Sequence, residues 1–270
     1  PTLADTAAIH ELVRRVVDNE PIAADELRLL APGVTMGGAR PKALIESDGA
    51  PWVVKFADSG EPTDAPLIEH AAMTLARQAR ITTAETRAIR RFDRVRAPDG
   101  SLHRIHAQSA HVALGAAGEL SGYPELAQLL RRRGVAGLNA EQMHELFRRM
   151  VFNILIDNTD DHDKNHVLLA RDERSGEFEL APAFDVLPSG QALGYQQMRV
   201  GDDDADATIH NALSMSAQFG LKRDAAVAQA REVARTVRRW TTHFANEGVS
   251  ARDLEHHEAQ IDRPFLRDQR

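Results

Sequence analysis

Acidic and amide side chains are concentrated in the segment NTDDHDKN, residues 158–165. Apolar residues precede it at 154–156 and follow it at 167–169. Polar groups at such an interior edge are costly to desolvate unless they bind something. Asp160 and Asn165 lie five positions apart in this segment. A carboxylate there can orient an attacking hydroxyl while the amide oxygen binds Mg²⁺, which is the chemistry of phosphoryl transfer.

Two further charged residues stand among apolar neighbours. Lys55 lies within the strand-like string WVVKF, where a lysine is rarely solvated in the usual way. It is a candidate cation for the α- and β-phosphates of a nucleotide, or else an edge-strand lysine whose ammonium reaches water. Glu69 follows 14 residues later on a helix. It can reach back to pair with Lys55, or it can remain a partly exposed helix residue.

A second acidic metal ligand is predicted in the string APAFDV. Asp185 lies 20 residues after Asn165 and Phe184 precedes it, where its ring can pack into the core. The alternative role of Asp185 is to cap a loop. Upstream, the stretch containing Gly37, Gly38 and Lys42 offers backbone N–H groups to phosphates, although it matches neither G-x-G-x-x-G nor the P-loop pattern.

The first part of the chain is predicted to mix strands with helices. Asp64 and Pro66 are typical of a helix start, and Asp48–Gly49 is typical of a hairpin turn. The predicted elements are a helix over 5–18, strands over 43–46 and 52–56, a helix from residue 64, and strands over 84–91 and 102–108.

The second part is predicted to be mostly helical. A helix over 139–157 begins at a capping box formed by Asn139 and Gln142. A hairpin over 166–170 and 177–181 follows, and another long helix covers 223–246. The acidic run 201–207 is interpreted as a solvated loop, since it lacks the spaced glycine and terminal glutamate of a calcium loop. The fold class is therefore α+β and bilobal, with a mixed N-lobe over 1–115 and a mainly helical C-lobe over 116–270.

Composition excludes several function classes. The 270 residues carry 33 Lys and Arg against 40 Asp and Glu, a net charge of −7, which makes unaided binding to nucleic acid or anionic membranes unfavourable. The absence of cysteine excludes disulfides, thiolate catalysis and cysteine-ligated zinc. No apolar run approaches the ~18 residues of a membrane span. These features fit a cytoplasmic protein.

The order of the candidate residues matches the plan of a protein kinase: glycine-rich stretch, strand lysine, helix glutamate, D-x-x-x-x-N and a second aspartate. More specifically, the chain resembles the HipA family of bacterial serine/threonine kinases, the toxins of type II toxin–antitoxin pairs. The strings that carry the resemblance are GGARPKAL, WVVKF, RRFDR, NTDDHDKN and LAPAFDVLPS, with RIHAQSA and DATIHNAL similar to later parts of the family. The segment before residue 37 is too short for the family's complete N-terminal subdomain, which implies a short or truncated member.

The resemblance implies a role for each matching residue. Asp160 would be the catalytic base, and Asn165 and Asp185 would bind Mg²⁺. Thr35 occupies the place of a serine whose autophosphorylation inactivates members of the family. The residues implied to contact ATP are Gly37, Gly38, Ala39, Arg40, Pro41, Lys42, Lys55, Glu69, Arg90, Arg91, Phe92, His162, Lys164, Asn165, Phe184 and Asp185, with 90–92 at the hinge that meets adenine.

The resemblance also implies partners. The cofactors would be ATP and Mg²⁺, and the acceptor would be a protein hydroxyl, with aminoacyl-tRNA synthetases among the family's substrates. A DNA-binding antitoxin is the expected partner, so that DNA contact is indirect and no membrane is involved. Two other hypotheses stay open: a phosphohydrolase whose metal is held by His162, Asp163 and His166, and a catalytically silent kinase-like binding module.

Overall fold

The computed structural model describes residues 5–17, 20–21, 23, 42–47, 49–56, 60–86, 88–118, 120–172 and 174–270. Its helices are α1 (Thr6–Val17), α2 (Ala65–Gln78), α3 (Ala110–Ala117), α4 (Tyr123–Arg133), α5 (Asn139–Leu155), α6 (Ile209–Ser214), α7 (Arg223–Val237), α8 (Trp240–Asn246), α9 (Ala251–Ile261) and α10 (Pro264–Arg267). Its strands are β1 (Lys42–Ser47), β2 (Ala50–Lys55), β3 (Ile89–Arg90), β4 (Arg94–Arg96), β5 (Leu102–Arg104), β6 (His106–Ser109), β7 (Val167–Ala170) and β8 (Glu179–Leu180). This mixed α+β fold confirms the predicted fold class.

The first sheet places Lys55 at the end of a hairpin. Strands β1 and β2 pair antiparallel and β3 adds to β2. The turn contains Gly49 at φ +67°, a conformation that favours glycine. Because side chains alternate across a strand, Ala43 and Ile45 face one side, where they join Ile9 and Leu12 of α1 in a small core. The predicted hairpin and N-terminal helix are thereby confirmed.

Helix α2 links this sheet to the rest of the protein. The Asp64 carboxylate accepts a hydrogen bond from the N–H of Leu67 at 3.1 Å, and proline occupies the first turn, as predicted for the helix start. The buried face of α2 carries Ile68, Leu75 and also Glu69. Ile68 and Leu75 belong to the main core, and α2 packs against α8.

The main core surrounds α5, which packs on α4 and α7. The side chains of Leu146, Phe147 and Met150 on α5 are fully buried. Beyond α5, the predicted hairpin is confirmed: β7 pairs antiparallel with both β8 and β6. The catalytic-loop candidates, 158–165, lie between the end of α5 and the start of β7, so both boundaries of that segment are fixed by buried structure.

Three local predictions are wrong. The capping box fails because the Asn139 side chain accepts from the adjacent N–H of Ala140, while the Gln142 oxygen accepts from the N–H of Leu180 in β8. The single helix over 223–246 is two helices, α7 and α8. The helix is interrupted by a turn at residues 238–239, and the buried indole of Trp240, the first residue of α8, lies within 3.1 Å of the Asp262 carboxylate.

The third error concerns the predicted strands over 84–91 and 102–108. Among the described residues of the first, only Ile89 and Arg90 lie in a strand, because Ala84 pairs instead with the segment before Asp185. The second is divided at Ile105 between β5 and β6, which belong to different sheets. The run 201–207 consists of turns with exposed aspartates, as expected for a loop. In the described residues no helix is long and apolar enough to cross a membrane.

Candidate active site

Lys55 and Glu69 form a buried ion pair at the junction of β2 and α2. The Lys55 ammonium lies 2.8 Å and 2.7 Å from the two Glu69 carboxylate oxygens. The side chains are only 13% and 4% exposed. Lys55 is therefore not an edge lysine that reaches water, and Glu69 is not a partly exposed helix residue. The pairing predicted from their positions is present.

Asp185 is the third member of this cluster. Its Oδ1 lies 2.5 Å from the Lys55 ammonium, and its backbone N–H donates to Glu69 Oε1 at 3.1 Å. The backbone at Asp185 has φ +60°, which is uncommon for a residue other than glycine. Just before it, the backbone of Ala183 pairs with Thr82 and Ala84, directly after α2. The chain thereby delivers Asp185 to the helix that carries Glu69.

Burial and charge act in opposite directions within the cluster. Burial lowers the pKa of Lys55, but the neighbouring carboxylates of Glu69 and Asp185 outweigh it and raise the pKa above its ordinary value. Burial raises the pKa of Glu69, with Lys55 opposing that shift. One cation between two carboxylates leaves an excess of negative charge, which favours a divalent cation beside Asp185.

A polar cleft of about 180 Å³ brings the other candidates to the same place. Its lining includes Asp160, Asn165 and Asp185. Two contacts hold the segment around Asp160 against the segment after Asp185. The Ser189 N–H donates to the carbonyl of Asp157 at 2.9 Å, and the hydroxyls of Thr159 and Ser189 lie 2.6 Å apart. Residues 25 positions apart in the sequence, Asp160 and Asp185, therefore share one cleft.

The donor set of this cleft fits Mg²⁺. The Asn165 amide oxygen and the Asp185 carboxylate are hard oxygen ligands, and Asp160 adds a second carboxylate. In the described part of the chain, no three His, Cys, Asp or Glu side chains converge as a complete metal cage. Mg²⁺ usually needs no such cage, since one or two protein ligands suffice when phosphates and waters complete the octahedron. Asn165 and Asp185 would hold the ion there.

A buried hydrogen-bond network beneath the cleft escaped the sequence analysis. The Oδ2 atom of Asp161 accepts from the Tyr123 hydroxyl and, at 2.9 Å, from the Asn153 amide. It also lies 2.8 Å from His166 Nε2. Burial raises the pKa of Asp161, but His166 and the other donors outweigh it, and the pKa lies below its ordinary value. The sequence feature that could have indicated this network is the pair of adjacent aspartates at 160 and 161. Tyr123 lies 38 residues away along the chain, so the sequence does not identify it as a partner.

Removing one donor from this network should destabilise the fold. Tyr123→Phe keeps the ring, which packs edge-on against His166 at 5.5 Å, but removes the hydrogen bond to Asp161. A hydrogen bond to a charged group contributes about 1.5–3 kcal/mol, so the free energy of unfolding should fall by that amount in urea denaturation. Tyr195→Phe, at a residue 49% exposed, is the matched control and should change it little. Equal denaturation midpoints for all three proteins would contradict the network.

The remaining predicted residues fall into three groups: those at the predicted hinge, those elsewhere in the described residues, and those outside them. Phe92 packs on Phe184, with ring centroids 5.7 Å apart, and the neighbouring Arg91 pairs with Asp93 at 2.5 Å. The predicted hinge is thereby in contact with the residue before Asp185. Of the others, Lys42 lies opposite Lys55 in the β1–β2 register, His162 is half-buried, and Arg90 and Lys164 are exposed. Thr35, Gly37, Gly38, Ala39, Arg40 and Pro41 lie outside the described residues.

The geometry does not favour the phosphohydrolase hypothesis. His162 and His166 would share a face on a helix, but residues 163–165 form a short 3-10 turn and His166 points into the buried network. Asp163 lies 3.1 Å from His111 instead. The three side chains therefore do not form a common metal site.

Two solved structures share the fold. HipA of Shewanella oneidensis MR-1, in complex with HipB and operator DNA, aligns with a TM-score of 0.66 at 18% identity, covering 94% of this chain and 69% of HipA. The Helicobacter pylori proinflammatory kinase CtkA aligns with a TM-score of 0.58 at 16% identity, covering 86% of this chain and 90% of CtkA.

Relatives are also found by sequence. Two Sinorhizobium fredii proteins named as candidate kinases are similar: Y4mE, 32% identical over 106 residues, and Y4dM, 30% identical over 165 residues. These matches cover 37% and 53% of this chain but only 24% and 38% of the relatives. The HipA-like C-terminal domain matches residues 34–241, which include every described member of the candidate site. The chain therefore belongs to the family that is defined by the HipA-like C-terminal domain.

Proposed function

We propose that this protein is an ATP- and Mg²⁺-dependent kinase that transfers the γ-phosphoryl group to a serine or threonine hydroxyl of a protein. The observation that carries the proposal is the cluster of Lys55, Glu69 and Asp185 beside the cleft that holds Asp160 and Asn165. Kinases need a phosphate-binding lysine paired with a helix glutamate, two metal ligands and a base. The arrangement has a residue of the right type for each part.

Each residue has a defined task in this proposal. Lys55, oriented by Glu69, binds the α- and β-phosphates. Asn165 and Asp185 hold Mg²⁺, which neutralises charge on the transferred phosphoryl group. Asp160 accepts a hydrogen bond from the acceptor hydroxyl, orients it and takes its proton. No oxidant or covalent enzyme intermediate is required, because the reaction depends on positioning and electrostatics.

Family membership supports the choice of partners. The Shewanella HipA structure contains an antitoxin, HipB, and operator DNA, and we propose a DNA-binding antitoxin as the partner of this chain. An aminoacyl-tRNA synthetase is the proposed substrate class. Thr35 is the proposed site of an inactivating autophosphorylation, since a phosphate there would add about −1.5 to −2 charges beside the glycine-rich stretch and compete with ATP for its N–H groups.

Binding of Mg·ATP tests the proposal most directly. Calorimetry should show saturable binding to the wild type, and Asp185→Asn should weaken it because the site loses an anionic ligand. Loss of a residue that only hydrogen-bonds to a metal ligand lowers metal affinity by roughly 10- to 100-fold. Because Asp185 is proposed as a ligand itself, we expect the affinity for Mg·ATP to fall by at least that factor. Asp203→Asn, an exposed residue of the 201–207 loop, is the matched charge control. A wild type with neither binding heat nor a thermal shift would overturn the proposal.

A further inference from the structure

A buried contact between Asp161 and His166 joins the two ends of the catalytic-loop candidate, residues 158–165. We call this pair of residues the neck of the loop. Asp161 directly follows Asp160, and His166 directly follows Asn165. Both Asp161 and His166 are 3% exposed, and His166 Nε2 lies 2.8 Å from Asp161 Oδ2. The contact therefore joins the two ends of the loop that carries the proposed base and the proposed metal ligand.

Neighbouring side chains at each end of the loop lie on opposite sides of the chain. Asp160 is exposed and Asn165 half-buried, and both line the cleft, while Asp161 and His166 lie beneath it. Between them the chain tightens into a 3-10 turn in which the Asn165 N–H donates to the His162 carbonyl at 2.9 Å. Because the loop is this short, the separation of Asp160 and Asn165 depends on the contact at its neck.

The neck is in turn attached to the rigid part of the protein. Tyr123 of α4 and Asn153 of α5 both donate to the same Asp161 oxygen, and the Ala110 N–H donates to the His166 carbonyl at 2.7 Å. Helices α4 and α5 belong to the main core. A buried carboxylate with three donors is fixed in orientation, since any rotation would leave a desolvated charge without partners.

We propose that Asp161 and His166 are positioning residues that set the placement of Asp160 relative to Asn165, an inference that rests on the proposed kinase function. Neither side chain lines the cleft, so each acts through its neighbour in the chain. A misplacement of about 1 Å can cost 10²-fold in rate. Lys55 and Asp185 are held by other elements and keep their contacts to the nucleotide when the neck is altered.

Steady-state turnover of Mg·ATP, followed as ADP release with casein as a generic acceptor, tests this inference. Asp161→Asn and His166→Leu should each lower kcat by roughly 10- to 100-fold. The KM for Mg·ATP should change by less than about threefold, as expected when ground-state binding is retained. His166→Gln carries an N–H donor at the position of Nε2 and should recover most of kcat.

A stability-matched control separates positioning from general loosening. Trp240→Phe removes the bonds to Asp262 from a residue that is 1% exposed; it should lower the thermal midpoint without lowering kcat. A wild type that turns over Mg·ATP, with Asp161→Asn unchanged in kcat, would overturn this inference alone. The inference would also be overturned if His166→Gln had a kcat as low as that of His166→Leu. A folded wild type without any turnover would overturn the proposed function and this inference with it.

Discussion

Replacing Asp160 with alanine should lower phosphoryl transfer by about 10²- to 10⁴-fold, the usual contribution of a general base. Asp160 is exposed in the cleft that it shares with Asn165 and Asp185. The variant should fold normally, because exposed substitutions outside special features change stability by about 0.5 kcal/mol or less. Binding of Mg·ATP should persist, since Lys55 and Asp185 are unchanged. Transfer of labelled phosphate from ATP to protein measures the loss.

The control for this experiment is Asp202→Ala, which removes another exposed aspartate from the acidic loop. It should transfer phosphate at the wild-type rate. If expression of the wild type arrests growth, as expected of a toxin, the arrest should disappear with Asp160→Ala and remain with Asp202→Ala. Near-wild-type transfer by the Asp160 variant would show that another group orients the acceptor hydroxyl.

Features that depend on neighbouring residues could be predicted from the sequence. Asp64 caps α2 through an N–H three residues away, and β7 pairs with β8, the next strand along the chain. Asp160 and Asn165 lie on one short loop. The Lys55–Glu69 pair could also be predicted. A lysine among apolar strand residues needs a partner for its charge, and the next helix supplies one. In each case a local physical requirement has few solutions.

Features that depend on distant packing could not be predicted in the same way. One of the donors to Asp161 is Tyr123, which lies on a helix 38 residues earlier in the chain, and nothing in the residues around either one specifies the other. The break between α7 and α8 follows from where Trp240 packs, near Asp262, rather than from a helix-breaking residue at 238–239. The residues of α7 and α8 keep a helical apolar period across the break, which explains why a single helix was predicted.

Replacing Lys55 with methionine should have the largest effect on stability. Glu69, whose side chain is 4% exposed, would lose the cation that compensates its burial. Breaking a buried pair by removing one partner costs about 3–5 kcal/mol, and urea denaturation should show a loss of that size. Phosphoryl transfer should also be lost, which by itself cannot separate a folding defect from a missing phosphate ligand.

The double variant Lys55→Met/Glu69→Leu separates these two effects. Replacing a buried ion pair with apolar side chains of similar volume is often neutral or stabilising, so the double variant should regain most of the stability that Lys55→Met loses. It should still fail to transfer phosphate, because no cation remains in β2 to bind the nucleotide. A single variant as stable as the wild type would mean that Glu69 is not buried against Lys55 in solution. A double variant with wild-type transfer would mean that the phosphates are held by a residue other than Lys55.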